Sequence, residues 1–372
     1  MKKERELLPD ILKGFAIIMV VWGHCIQEGN GAAFSSQMLY FDDKLYQFIY
    51  SFHMPLFAII AGYFAYLSIE RAIQNKTKHK LLVKRLLSYG IPIFVWTMLE
   101  YIRECIINVT NNYVSLTPIS FISGYFSKLI INHWFLWSMI ICFVIVWIMH
   151  CYFKDNLLIY TLGFISLFFI PDGLNMHAYK FLMPFYIGAF YFCKFYVNYL
   201  DSKVNCNVAI TGSGFFEFLK SLVKQFSKNN KLLLLISFIG FALLFLIYRK
   251  EAFIYVSGYR ITKNIWWKMI IIDLYRMIIG FVGSVFWISF FRELTLCFNS
   301  YKFPILSAFG KYSLGVYLIS GYTTILIMRR FTDSLSYSIP RVILETVVIA
   351  TFSLAVTVGM SKIPFIKRIV GK

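Results

Sequence analysis

Two residues in the first apolar run can do chemistry. They are Lys13 and His24, within ILKGFAIIMVVWGHC at 11–25. An imidazole titrates near neutrality and serves as a general base, while an ammonium holds phosphate as a point charge. On an α-helix, eleven residues cover about 16 Å and about three full turns, so the two share a face. Asp10, three residues before Lys13, is placed to pair with it and to support the helix start. Ionisable groups at membrane depth cost a few kcal/mol and face a cavity or a partner. Two readings are open: a lined channel with a cation at its mouth and a base inside, or a lone histidine bonded to a neighbouring helix above an ordinary flanking lysine.

The elements that must position these residues follow from composition. The chain has 372 residues, 59% of them hydrophobic and 15% charged, against about 25% charged in a soluble domain. Apolar runs near 20 residues recur along it, which predicts an all-α, polytopic transmembrane bundle forming one membrane-embedded domain over 1–372. Ten spans are expected, near 9–27, 46–68, 87–107, 134–153, 157–170, 179–199, 232–248, 269–290, 312–328 and 342–363. Lys and Arg crowd 69–87, 200–231 and the final FIKRIVGK, which predicts that both termini are cytoplasmic. The loop 200–231 carries Phe and Leu at three- and four-residue steps around Lys220 and Lys224, the pattern of an interfacial amphipathic helix. The first run resembles a secretory signal, but Lys13 and His24 argue that it is retained. We therefore expect an integral protein of a bacterial cytoplasmic membrane.

The formal charge of +19 fits topology and lipid headgroups as partners rather than nucleic acid, since no zinc-finger spacing or RNP-like segment occurs. The basic stretch 249–268 breaks the charge pattern and is read as solvated, with an anionic glycan as the second reading. Seven scattered cysteines with no C-x-x-C suggest small core residues and no metal site. No Walker lysine motif or G-x-G-x-x-G is present.

Other residues are open to more than one role. His53, before Pro55, is placed either to bind an acceptor or to bond the carbonyl that Pro55 leaves without an amide partner. Glu100 and Glu104, with Arg103, form either an internal ion pair or an acceptor-binding group. Asn132 and His133 open the fourth expected span and suit sugar hydroxyls. Asp273 and Arg276 are read as a structural pair first and acceptor ligands second. Lys84, Arg85 and Lys311 are cations at one membrane edge, where topology and phosphate binding explain them equally well.

Six blocks in order carry a resemblance. PDILKGFAIIMVVWGH (9–24) resembles the opening of the acyltransferase-3 family of integral-membrane acyltransferases, with Lys13 where many members have Arg. SFHMPLFAIIAGYF (51–64), VKRLLSYGIPIFVW (83–96), NHWFLWSMI (132–140), FLMPFYIGAFY (181–191) and FGKYSLGVYLIS (309–320) resemble later family segments. Ala61 stands where Ser often precedes the glycine, and Ser320 replaces a common histidine. The resemblance implies about ten transmembrane helices and an acyl-coenzyme A donor, most often acetyl-CoA. It further implies transfer to a sugar hydroxyl of a surface polysaccharide or its lipid-linked precursor, without the soluble esterase-like domain some members append. Carried onto this chain, His24 acts as general base or carries a covalent acyl group, with Lys13, about 16 Å away along the same helix face, and Asp10 in the catalytic set. Lys13 and Arg85, and more weakly Lys84 and Lys311, would hold the donor. His53, Glu100, Asn132 and His133 would meet the acceptor. The competing expectations are a glycan or lipid transporter without acyl transfer, or the same fold transferring succinyl or a longer acyl group.

Overall fold

The computed structural model describes residues 7–28, 35–111, 117–153, 156–167, 169–204, 229–259, 266–298, 303–323 and 338–372. All regular structure among them is helical. The helices are α1 (Leu7–Glu28), α2 (Lys44–Gln74), α3 (Lys78–Thr110), α4 (Pro118–Ile131), α5 (Trp134–Tyr152), α6 (Leu157–Leu167), α7 (Met176–Val204), α8 (Asn230–Leu246), α9 (Ile254–Ser257), α10 (Trp266–Cys297), α11 (Pro304–Lys311), α12 (Ser313–Thr323) and α13 (Ile339–Ser361).

Six of these, α1, α2, α3, α5, α10 and α13, are long and apolar enough to cross a membrane. The ten expected spans overlap helices, but only these six meet the length and hydropathy of a span among the described residues: α6 and α12 have 11 residues each, α8 has 17, and α7 is not among the six. The amphipathic helix expected within 200–231 lies almost wholly outside the described residues. Helix α4 was not expected. It is a 14-residue apolar segment started by a capping box, in which Thr117 and Ser120 exchange side chain-to-backbone bonds and Pro118 opens the helix. It is too short to register as a span.

The bundle has two ends. Asp10, Arg71, Lys78, His150 and Gly310 mark the near end. There the Trp147 indole donates to Lys78 O at 3.2 Å, tying the close of α5 to the start of α3. Glu28, Tyr46, His133 and the strap 248–259 mark the far end. Close approach replaces a hydrophobic drive between helices in lipid. A Cβ on Gly14 would sit 1.9 Å from Leu306 O, and one on Gly310 only 1.7 Å from Asp10 O. Backbone therefore meets backbone where α11 crosses the start of α1, and this contact fixes the position of Lys13. Gly62 does the same for α2 against α7, where a Cβ would lie 2.1 Å from Tyr186 O. Phe15, Phe52, Trp287 and Phe291 interlock α1, α2 and α10, with ring centroids 4.3–6.0 Å apart.

Candidate functional site

A cavity of about 920 Å³ enters from the near end between α1, α2, α3, α5, α7 and α12. Helix α1 lines it with Pro9, Asp10, Lys13, Ile17 and Val20. These recur every three or four residues, so they form one face, and the next residue on that face is His24. Helix α2 contributes a second such face from Met54 through Phe57, Ala61, Phe64 and Ser68 to Arg71. The volume lies in the range of sites that enclose a cofactor-sized ligand.

The near mouth is cationic. Lys13 pairs with Asp10 at 2.8 Å, and its ammonium lies 6.0 Å from the Phe64 ring centre. The Arg85 guanidinium sits 5.7 Å from the Phe143 ring centre and lines the cavity. Lys84, its neighbour in sequence, is exposed and off the lining. Lys311 is also exposed and off the lining, stacked 5.3 Å from the Tyr312 ring centre, with its carbonyl bonded by Lys372. The structure thus brings Lys13 and Arg85 together and leaves Lys84 and Lys311 apart. It adds Arg71, whose signal was available: it continues the α2 face one turn beyond Ser68.

The two histidines lie beyond the last cavity-lining residues of their helices, Val20 on α1 and Met54 on α2, and neither lines the cavity itself. His24 is partly exposed and makes no hydrogen bond among the described residues. Glu28, one turn further along α1, acts on it electrostatically, and His24 in turn acts on His53. The His24–Glu28 spacing, i and i+4, was readable in GHCIQE but was not singled out. His53 is buried, and its Nδ1 donates to Ile49 O at 2.7 Å. A carbonyl accepts only from a protonated nitrogen, so Nε2 carries the lone pair in the neutral ring. The bond goes to Ile49, not to the Ser51 carbonyl that Pro55 leaves without a donor. The Tyr50 ring packs edge-on against His53 at 4.6 Å, and its Cε2 would lie 2.8 Å from a Cβ at Gly23, which brings α1 and α2 close beside His24.

A second polar group flanks the channel. Asn132 Nδ2 donates to Glu100 Oε2 at 2.8 Å, and His133 Nε2 lies 3.7 Å from Glu100 Oε1. His133 holds a left-handed backbone, φ 53°, at the turn from α4 into α5. Non-glycine residues seldom adopt that conformation, and where they do a site often demands it. Its Nε2 is buried without a hydrogen-bond partner, and its ring stands 6.3 Å from that of Tyr317, which lines the cavity. Glu100, Asn132 and His133 therefore form one group, which joins residues that the sequence reading takes as two separate sets. Glu104 instead pairs with Lys128 of α4 at 2.8 Å, partly in solvent. Asp273 and Arg276 are both buried and approach to 3.4 Å.

The comparisons with known proteins bear on the family. A family model described as "Acyltransferase domain" matches residues 8–362. The chain is similar to "Nodulation protein NolL" of Mesorhizobium japonicum, at 26% identity over 200 residues, covering 51% of this chain and 48% of that protein. It is also similar to "Nodulation protein NolL" of Sinorhizobium fredii, at 28% over 141 residues, covering 38% and 36%. The matched stretch thus spans about half, or less, of these relatives' length. No solved structure matches the chain. With six helices long and apolar enough to cross a membrane and a family match over nearly its whole length, the chain is an integral membrane protein that belongs to the acyltransferase-3 family.

Proposed function

We propose that this protein transfers an acyl group, acetyl first among the choices, from acyl-coenzyme A to a sugar hydroxyl of a surface glycan or its lipid-linked precursor. The observation that carries the reading is one α1 face, from the Asp10–Lys13 pair through Ile17 to Val20, lining a cavity of about 920 Å³, with His24 the next residue on that face one turn beyond the lining. The near end, where Arg71, Lys78, Lys80, Lys84 and Arg85 gather, is the cytoplasmic side in this reading. Lys13 and Arg85 bind the donor's phosphates, with Arg71 at the rim, and the guanidinium of Arg85 offers paired donors that an ammonium lacks. The pantetheine arm lies among Phe57, Phe64, Phe135 and Phe143 and brings the thioester to the end of the channel.

There His24 takes the proton of the acceptor hydroxyl, the freed oxygen attacks the thioester carbonyl, and the C–S bond breaks to release coenzyme A as thiolate, which picks up a proton. Glu28 favours the imidazolium that forms. His53 and the Glu100–Asn132–His133 group orient the acceptor, and the unpartnered Nε2 of His133 suits a sugar hydroxyl.

The test has two parts. Acetyl-CoA should raise the melting temperature of the purified protein, because a ligand selective for the folded state stabilises it. Deletion of the gene should remove ester-linked acetyl from the surface glycan, read by mass spectrometry. Absence of both effects would refute the assignment.

A further inference from the structure

A second, much smaller cavity of about 30 Å³ lies at the far end. Half of its wall is aromatic, from Tyr50, Trp134, Phe181, Tyr248, Phe253 and Tyr255, with Ser51 and Arg276 as polar groups among aliphatic residues. Met54, the residue after His53, lines both cavities. Trp134 lines the far one and Phe135 the near one. The first turn of α5 and the 50–54 turn of α2 therefore form a septum one residue thick, beside His53.

The lid of the far cavity is the strap 248–259, a 3-10 turn at Lys250–Ala252 followed by the four-residue α9. Phe253 packs between Phe41, Tyr46 and Tyr50, with ring centroids at 4.8, 5.6 and 5.9 Å. Tyr255 stands edge-on to Trp134 at 6.0 Å and to His177 at 5.8 Å. Point contacts pin the strap's far side. Arg276 donates to Gly258 O at 2.9 Å and to Ser257 Oγ, and Tyr259 N donates to Asp172 Oδ2 at 2.8 Å. Buried Lys180 bonds Asp172 Oδ1 at 2.9 Å and Tyr259 O at 3.0 Å. Arg276 is 2% exposed, yet its Nε has no hydrogen-bond acceptor. Its guanidinium also approaches Asp273 Oδ1 at 3.4 Å, and Arg276 is the charged residue of the far cavity's wall.

We propose that the far cavity is the closed form of the acceptor site, that its occupant is a pyranose ring, and that the strap 248–259 lifts to admit it. This rests on the acyl-transfer reading above. Flat aromatic faces suit the C–H face of a sugar ring, and the few polar groups, Arg276 Nε and Ser51 among them, suit its hydroxyls. The closed volume holds about one water and no sugar, so the strap must move. Between turnovers the closed strap and Met54 keep far-side water from the thioester. Opening the strap without a sugar lets water replace the hydroxyl: its oxygen attacks the carbonyl, the C–S bond breaks, and acetate and coenzyme A leave.

The test compares wild type with Phe253→Ala and, as a milder second variant, Tyr255→Ala, each first shown to be folded by its acetyl-CoA-dependent rise in melting temperature. Two quantities are read. One is acceptor-free hydrolysis of acetyl-CoA, measured as released thiol. The other is the rate at which a membrane-impermeant thiosulfonate labels Ser51→Cys from the far side, counted above the parent chain, with and without methyl glucopyranoside as the pyranose probe. The expected result is a rise of about tenfold in both rates in the strap variants, and slower labelling with the probe. Unchanged hydrolysis and labelling in folded variants would overturn the strap inference while leaving acyl transfer intact. A wild type that neither binds acetyl-CoA nor releases its thiol would overturn the acyl-transfer reading itself, and the inference with it.

Discussion

The two cavities that meet at Met54 are opposites. The near one is about 920 Å³, open to a rim of Lys13, Arg71 and Arg85, and lined along helix faces that run unbroken for several turns. The far one is about 30 Å³, closed by an irregular strap, with rings making half of its wall. Rigid helices thus shape the side to which the proposed reaction assigns a large, polyanionic donor, and side-chain contacts close the side to which it assigns the acceptor. A site built on helices holds geometry, and one closed by a short strap opens at small cost. Water reaching the thioester from either side would waste it, so only one side can stand open at rest.

The comparison breaks most completely if the near wall is displaced. Gly14→Leu or Gly310→Leu puts side-chain atoms where Leu306 O and Asp10 O now lie. Overpacking against backbone should cost roughly 3 kcal/mol. Thermal unfolding should show a clear fall in melting temperature, with loss of the acetyl-CoA-dependent shift. Retained stability would mean that α11 does not hold α1 as described.

A smaller effect sharpens the near side alone. Arg85→Ala removes a charge-assisted contact worth about 1.5–3 kcal/mol, so acetyl-CoA affinity should fall about 10- to 100-fold by calorimetry. Arg71→Ala, at the exposed rim, should cost only a few-fold. Lys84→Ala and Lys311→Ala, both off the lining, should stay within about twofold. A reversed ranking would place the donor elsewhere.

The smallest expected change tests the boundary between the two sides. Tyr317→Phe keeps the ring that faces His133 and removes only the hydroxyl. Acceptor KM should rise a few-fold, at roughly 1 kcal/mol for one lost hydrogen bond, with donor affinity unchanged. A fall in donor affinity instead would show that the Tyr317 hydroxyl serves the near cavity that its side chain lines, not the acceptor.

Helix faces were the legible part of the sequence. Lys13 and His24 share a face because the helix repeat dictates it, and Val20 and Ile17 fill the turns between them. Asn132 and His133 were expected to meet the acceptor together, and the bond of Asn132 to Glu100, with His133 3.7 Å away, came from the packing of α3 against the α4–α5 turn. Arg71 and Glu28 lay on readable periodicities that charge counting obscured, since a cation at a membrane edge is ordinary. Lys84 and Arg85 could not be ranked from sequence. Adjacent residues on a helix point about 100° apart, and only the neighbours decide which one meets the cavity. The strap was the least legible element. Its basic residues suggested a solvated loop, while its closure depends on Asp172, Lys180 and Arg276, separated in sequence by up to 104 positions. Helix α4 was hidden by its 14-residue length.

The central claim is that the near cavity delivers the acyl donor to His24, which does the chemistry without holding the donor. Acetyl-CoA binding and single-turnover transfer to glycan should be measured side by side on purified, reconstituted His24→Ala and wild type. The account predicts donor affinity within about twofold and transfer reduced at least about 100-fold, the loss expected of a general base. Transfer within a few-fold of wild type would contradict it.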